Sequence, residues 1–301
     1  GMLYLAFVLP AARALGRDRV SGGVIAGFIL TGGFLPVFFG YAETYAPALS
    51  VVLVFLVTGA RALESDGSLW IPACLAGLAA ALHLSLVMLW PSLIVLTVLR
   101  FGRSWRTVWR TLDILLVTLG VFCGMLIALG VSPWRVFLSG KGALLPIFSE
   151  PGFHQPYTLF AFLHGVDLLN AYLLTAPAAL MAVWFVSRRM LTAPSGVFLG
   201  TVALFPILFT ALMNFEIGAF RDWDVQALSA LPLTVWAAWG FVHRVRGAHA
   251  GLLICGAALL HTGAWIGVNA QAEASVARFA ALLEKGALSA HARSYGWETL
   301  G

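Results

Sequence analysis

The chain has 301 residues, of which 60% are hydrophobic and only 10% are charged, and its mean hydropathy is +0.92. About a quarter of the residues in a soluble globular domain are charged, so this composition excludes such a domain and indicates a multi-pass membrane protein. The net charge is +5, but the basic residues form short clusters between apolar runs, as in the cytoplasmic loops of membrane proteins. We therefore expect no nucleic-acid partner.

Seven apolar runs are long enough, or nearly so, to cross a bilayer as helices, which takes about 20 residues. They cover residues 20–39, 46–63, 111–131, 167–186, 196–213, 225–242 and 251–268. The opening GMLYLAFVLPAA is about half the necessary length and contains Pro10, so we expect the natural protein to begin further upstream.

Residues 69–99 form a further apolar block, which is too long for one comfortable span and too short for two. The basic connections lie at 13–19, 100–110, 188–189 and 244–246, and the cytoplasmic preference of Lys and Arg places all four on one side. The block must then start and finish on that side. We predict two short helices, about 69–82 and 85–99, which turn back within the membrane near His83.

The predicted fold class is an all-α, polytopic integral membrane helical bundle of about eight spans plus this short in-membrane helix pair, over residues 1–268. Most acidic residues then lie on the outer face, together with a large loop at 132–166. In the segment AEASVARFAALLEKG, apolar residues share one helical face. Residues 269–301 therefore predict an amphipathic helical tail outside the membrane, which we expect to lead into a soluble domain beyond Gly301.

The stretch NFEIGAFRDWD lies between two apolar runs and holds four charged residues, Glu216, Arg221, Asp222 and Asp224. One interpretation is a local ion pair that caps the following helix. The other is recognition of a phosphate or a sugar, because a guanidinium offers forked donors to phosphate oxygens and Trp223 can pack on a sugar ring. We favour recognition, since an Arg and two acids exceed what capping requires.

Two single ionisable residues are further candidates. Glu43, in GYAETYAP, is either a solvated loop residue or an acid, base or ligand group that faces a cavity. His83, in LAALHLSLVML, is either a neutral histidine that donates to a carbonyl freed by the helix break or a cavity-facing group.

Several polar residues lie within the segment GFHQPYTLFAFLHGVDLLNAY. His164, Asp167 and Asn170 are three residues apart and share one helical face if the helix starts early enough, and His154 lies just upstream. We take His154, Asp167 and Asn170, together with His83, as candidate substrate-binding residues. Asp167 is alternatively a helix-start residue stabilised by the local dipole. No HExxH or comparable ligand spacing is present, so we assign no metal site and no cofactor, with a divalent cation left open.

Standard catalytic motifs are absent from the sequence: it has no GxGxxG, Walker A, nucleophile elbow or CxxC pair. Charges within the apolar runs are scarce, which weakens the case for a transporter, although a transporter or flippase of lipid-linked saccharides remains one alternative. A non-catalytic membrane scaffold, with protein partners recruited through the tail, is another.

Four stretches, FFGYAETYAPAL, LAGLAAALHLSLVMLWPSLIVL, VDLLNAYLLTAPAAL and FEIGAFRDWDVQALSALPL, together resemble bacterial polytopic proteins related to the C-type glycosyltransferase (GT-C) superfamily. The resemblance covers nearly the whole chain as a layout with loose motifs. It implies a polyprenyl-phosphate-linked sugar as donor, an unknown acceptor, and a reaction at the outer face of the bacterial inner membrane. Some relatives carry tetratricopeptide repeats after the last span, and the tail is similar to the lead-in to such repeats.

Carried over by residue, the resemblance implies an outer-loop acid at Glu43, a polar residue of a short helix pair at His83, and phosphate or sugar binding by Arg221 with Asp222 and Asp224. This chain departs from the superfamily in one respect. The superfamily's catalytic carboxylate lies on the first outer loop, and this sequence begins beyond that point. Glu43 is then the best candidate base in the sequence.

Overall fold

The computed structural model describes residues 1–39, 44–64, 67–138 and 144–301. These ranges are all-helical, and their extended pairing is limited to one isolated bridge between Leu144 and Met213. Glu43 lies outside the described residues. The α helices are, in chain order, α1 (Met2–Leu15), α2 (Arg19–Leu30), α3 (Tyr45–Glu64), α4 (Trp70–Leu82), α5 (Trp90–Phe101), α6 (Trp105–Ala128), α7 (Pro133–Leu138), α8 (Phe162–Thr175), α9 (Pro177–Ala182), α10 (Arg188–Thr192), α11 (Pro194–Leu212), α12 (Trp223–Arg244), α13 (His249–Ala270), α14 (Ala272–Lys285) and α15 (Ala290–Leu300).

Six helical segments of the described chain are long and apolar enough to cross a membrane. They are Tyr45–Glu64, Leu84–Phe101, Trp105–Ala128, Pro194–Leu212, Trp223–Arg244 and His249–Ala270. A bent pair, α8 with Pro177–Phe185, makes a seventh if it is counted as one span. The all-helical class is thus confirmed, and several helices have the length and composition of membrane spans, whereas the predicted number of about eight spans is not confirmed.

Helix α12 forms the centre of the bundle. Its apolar window is 94% buried, against α2, α3, α9 and α11 among others. The corresponding windows of α6 and α13 are only 22% and 17% buried, although both are strongly apolar. Large apolar surfaces that face outward are expected of helices in contact with lipid.

The basic connections meet at one end of the bundle, which we call the basic end. The guanidinium of Arg17 donates to the carbonyl oxygen of Val245 at 3.4 Å, and that of Arg244 donates to the carbonyl oxygen of Phe185 at 3.3 Å. Nearby, the hydroxyl of Ser195 donates to a carboxylate oxygen of Glu64 at 3.1 Å. The short segment from Phe185 to Ser195 joins these two groups of contacts. The opposite end carries most of the described acidic residues and is called the acidic end.

The helix pair over residues 70–101 starts and finishes at the basic end, as the sequence predicted. The guanidinium of Arg100, at the end of α5, donates to the carbonyl oxygens of Ala62, 2.9 Å away, and of Gly67, just before α4. The predicted helices, about 69–82 and 85–99, agree closely with α4 and with the segment Leu84–Phe101. The ring of His83 lies 4.8 Å from that of Tyr45, at the far end of the 20-residue helix α3. The return is long enough to cross because a 3-10 segment, Leu84–Leu89, extends α5.

Two apolar runs predicted as single spans are broken. The run 167–186 bends by 102° between α8 and α9, because a proline disfavours the helical conformation of the preceding residue, and Ala176 before Pro177 is not helical (φ −132°, ψ 48°). The run 20–39 breaks after Leu30 and continues as a 3-10 segment, Leu35–Phe38. The two breaks touch, since a Cβ atom on Gly33 would collide with the carbonyl oxygen of Leu174.

Helices α4 and α6 pack closely through a glycine, which allows a test of this architecture. A Cβ atom on Gly77 would collide with the carbonyl oxygen of Thr118 and lie 2.9 Å from the Cβ atom of Val121. We expect Gly77→Val to lower the free energy of unfolding by about 1–3 kcal/mol through overpacking. Thermal unfolding in one detergent measures the effect.

The matched control is Gly124→Val on α6, because a Cβ atom at Gly124 has nothing within 4 Å. Both variants place the same β-branched side chain in a helix, so the shared propensity cost cancels. Equal unfolding temperatures for the two variants would contradict the packing of α4 on α6.

Candidate functional site

A cavity of about 290 Å³ at the acidic end lies between the bundle and the tail, which consists of α14 and α15. We call it the Asp167 cavity. Three elements line it: α8, the loop 213–222 with the first residue of α12, and the tail. Its polar or aromatic lining residues include Asp167, Asn170, Trp223 and Arg278. A carboxylate, an amide, an indole and a guanidinium therefore share one concave site.

Helix α8 places its polar residues in two directions. Asp167 and Asn170 lie one turn apart and both line the cavity, and the hydroxyl of Tyr157 donates to Oδ2 of Asp167 at 3.0 Å. His164 is buried, and its Nε2 donates to the carbonyl oxygen of Ala211 at 2.7 Å. Of the three residues predicted to share a face, two thus reach the cavity, while His164 holds the end of α11.

Trp223 stands between two cavities. Its ring packs edge-on against Trp265 of α13, with centroids 4.8 Å apart at an interplanar angle of 76°. It lines the Asp167 cavity and also a second cavity of about 300 Å³, formed with Pro36, Trp265 and Asn269. The indole predicted to bind a ligand is therefore at a cavity wall.

Arg221 contacts the tail and is not among the residues that line the cavity. Its guanidinium carbon lies 5.2 Å from the ring centroid of Phe279 on α14 and 4.9 Å from that of Tyr295 on α15. Both distances are typical of cation–π contacts. Arg221 therefore joins both tail helices to the loop 213–222.

Asp222 and Asp224 lie at the start of α12, as the capping interpretation predicted. Asp222 is the N-cap residue, but its side chain makes no capping hydrogen bond. Burial is the main cause that raises the pKa of Asp222 to about 7, with a further contribution from the charge of Asp224 and opposition from Arg221. Asp224 is buried in the first turn, where its Oδ1 accepts from the backbone N–H of Val225 at 2.8 Å.

The remaining predicted site residues lie elsewhere. Nδ1 of His83 is 2.7 Å from the hydroxyl oxygen of Ser85, and neither residue is among those that line the cavity. Nδ1 of His154 is 2.6 Å from Oε1 of Glu216. These contacts do not bring His83 or His154 together with Asp167.

Sequence reasoning missed two residues of the cavity region. Arg278 lies on the helix that the apolar pattern predicted, but nothing in the sequence shows which surface of the bundle that helix covers. Tyr157 lies in a long loop without a motif, and only the fold brings it to Asp167.

Comparisons with models of known families, with curated proteins and with solved structures find no match to this chain. Its class follows from its own features. It is an all-helical protein with several helices of membrane-crossing length and composition, and it has a polar cavity at its acidic end.

The raised pKa of Asp222 predicts how stability depends on pH. The folded state holds the proton up to about pH 7, whereas the unfolded chain releases it near pH 4. The contribution of Asp222 is therefore complete at low pH and is lost as the pH rises towards and through 7. Asp222→Asn mimics the neutral form, so at pH 8 we expect its free energy of unfolding to exceed that of the wild type by up to about 4 kcal/mol, at about 1.4 kcal/mol for each of roughly three pKa units.

Unfolding temperatures between pH 5 and pH 8 test this expectation. Glu298→Gln, at an exposed acid of α15, is the control and should retain the pH dependence of the wild type. If Asp222→Asn also retains the pH dependence of the wild type, the group that releases a proton in this pH range is not Asp222.

Proposed function

We propose that this chain is a multi-pass protein of the bacterial inner membrane, with its acidic end on the outer side. We further propose that the Asp167 cavity binds a polyprenyl-phosphate-linked sugar and that the protein transfers the sugar to an acceptor. The meeting of the basic connections at one end supports the orientation, because Lys and Arg prefer the cytoplasmic side. On this orientation the tail also lies outside.

The observation that carries the proposal is that Asp167 and Arg278 line the same cavity. A guanidinium binds phosphate oxygens through forked hydrogen bonds, and an indole offers an apolar face to a sugar ring. Asn170 adds a donor and an acceptor for sugar hydroxyls. The cavity thus offers a suitable group for each part of a phosphate-linked sugar.

An inverting transfer fits these groups. The carboxylate of Asp167 takes the proton from an acceptor hydroxyl, whose oxygen bonds to the anomeric carbon of the sugar. The bond from that carbon to the phosphate oxygen breaks, and Arg278 stabilises the negative charge left on the polyprenyl phosphate. Tyr157 orients Asp167 through its hydrogen bond.

This assignment differs from the one that the sequence resemblance implied. The base was expected at Glu43, which lies outside the described residues. Arg221 was expected to bind the phosphate of the donor. Because Arg221 lies against Phe279 and Tyr295, the proposal assigns phosphate binding to Arg278 instead.

Donor binding is the first test. Native mass spectrometry of the purified chain should show a co-purifying polyprenyl lipid, and Arg278→Ala should lower its occupancy sharply. Lys285→Ala removes a cation from the same helix α14, at an exposed position away from the cavity lining, and should leave the occupancy unchanged. A wild-type protein without such a lipid, or an Arg278→Ala variant with full occupancy, would contradict the proposal.

Transfer is the second test. With a labelled polyprenyl-phosphate sugar supplied to membranes, we expect Asp167→Asn to keep donor binding and to slow donor consumption by about 100-fold or more, because general bases contribute about 10²–10⁴-fold. Normal consumption by this variant would exclude Asp167 as the base.

A non-catalytic scaffold is the second candidate, and the tail supports it. Trp297 and Val276 on the tail are 44% and 54% exposed, so both side chains are accessible to a partner protein. Under this alternative, removal of α15 abolishes function in the cell, whereas Asp167→Asn has no effect.

A further inference from the structure

We propose that His154, Glu216 and His291 bind a divalent transition-metal ion, with Zn²⁺ as the best chemical match, and that this ion fastens α15 to the bundle. The site is separate from the Asp167 cavity and does not depend on the proposed transfer reaction. Its ligands come from three segments: the loop before α8, the loop 213–222, and the first turn of α15.

The potential ligand atoms converge closely. One atom from each residue lies within 4.8 Å of the other two. Nδ1 of His154 and Nε2 of His291 are 2.6 Å and 3.8 Å from the same carboxylate oxygen, Oε1 of Glu216. Around a tetrahedral zinc ion with bonds of about 2.0–2.1 Å, ligand atoms lie about 3.3 Å apart. The two distances to Glu216 would have to change by about 0.7 Å and 0.5 Å, and the distance between the two imidazole nitrogens by up to about 1.5 Å. Rotation of these partly exposed side chains can supply such changes.

Hydrogen bonds that each involve at least one backbone group hold the three segments in place. The side-chain amide of Asn214, in the same loop as Glu216, donates to the carbonyl oxygen of His154 at 3.0 Å. The backbone N–H of His291 donates to the carbonyl oxygen of Phe153 at 3.1 Å. Ser289 caps α15 by accepting from the N–H of Ala292 at 3.0 Å. The ligand positions are thus organised before any ion binds.

A simple hydrogen bond explains only part of this geometry. It accounts for His154 and Glu216, but not for a second imidazole that directs a nitrogen at the same oxygen from 3.8 Å. The two imidazole rings are 4.5 Å apart, and protonation of both would place like charges side by side. A shared cation satisfies all three ligands at once.

The ligand set also selects the kind of ion. Two imidazoles and one carboxylate suit zinc and related transition metals, whereas Mg²⁺ and Ca²⁺ prefer oxygen ligands. The side chains of His154, Glu216 and His291 are 51%, 55% and 31% exposed, so an ion can reach them from solution. A fourth position is open to water, as in other three-ligand zinc sites.

Binding of the ion would restrict the tail. Residues 286–288, just before α15, line the Asp167 cavity. The side chain of Leu288 packs so closely on Gly218 of the loop 213–222 that a Cβ atom on this glycine would collide with Leu288. An ion that joins His291 to Glu216 would therefore hold the tail side of that cavity against the bundle. Metal binding would couple to tail docking, because the undocked tail lacks the complete ligand set.

Metal titration tests the site. The full chain, without a histidine tag, is purified in detergent, stripped with a chelator and titrated with Zn²⁺ against a chromophoric competitor. We expect one tightly bound zinc ion per chain. His154→Gln can still donate a hydrogen bond to Glu216 but is a poor ligand, and it should weaken binding at least about 100-fold, since even outer-shell partners of metal ligands are worth about 10–100-fold.

His261→Ala is the matched control, because His261 is an exposed histidine of α13 outside the cluster and should not affect binding. Trypsin cleavage after the exposed Lys285 provides the second readout. Zn²⁺ should slow this cleavage in the wild type and in His261→Ala, but not in His154→Gln. Absence of tight zinc binding, or equal binding by His154→Gln, would overturn the site, and zinc binding without protection would overturn its fastening role.

Discussion

Within an apolar layer without water, every backbone polar group must find its partner inside the protein, and this requirement governs the breaks in the helices of this chain. The break after α2 is closed by the hydroxyl of Thr262, which donates to the carbonyl oxygen of Thr31 at 2.9 Å. The close approach of Gly33 to Leu174 then packs this break against the end of α8. Because each break is covered by protein, the chain can bend where it would otherwise have to stay helical.

These breaks also position the cavity. The bend at Ala176 ends α8 early, so Asp167 and Asn170 face the loop 213–222 at the acidic end. On the other side of that loop, Arg221 lies against one aromatic ring from each tail helix and holds the tail over the site. The same short loop thus carries the anchor of the tail, a wall of the cavity and the carboxylate of the proposed zinc site.

Much of the architecture could be predicted from the sequence because it depends on composition and charge. The helical class follows from the apolar runs, and the common end of residues 70–101 follows from the distribution of arginines. The bend of the run 167–186 was also encoded, in Pro177, but hydropathy alone does not detect it. The second helix of the pair was predicted over about 85–99, and the structure differs only in that this segment begins as a 3-10 helix, Leu84–Leu89.

The site was less predictable, because its residues act through partners that are distant in sequence. Arg221 was expected to bind a ligand, but the aromatic rings it contacts belong to helices whose docking surface the sequence does not reveal. Similarly, Asp167 was recognised as a candidate, while Tyr157 and Arg278 became visible only in three dimensions. His154 was recognised as a candidate, but its neighbours Glu216 and His291 were not connected with it. Their spacing in the sequence matches no known metal-binding motif.

The exposed apolar sides of α6 and α13 have a practical consequence for work with this protein. In buffer without detergent or lipid, these two apolar surfaces would cause the protein to aggregate, because burying apolar surface is favourable in water. The isolated chain will therefore need a detergent or lipid around these surfaces throughout purification and measurement. The choice of that amphiphile will itself change the stability that is measured.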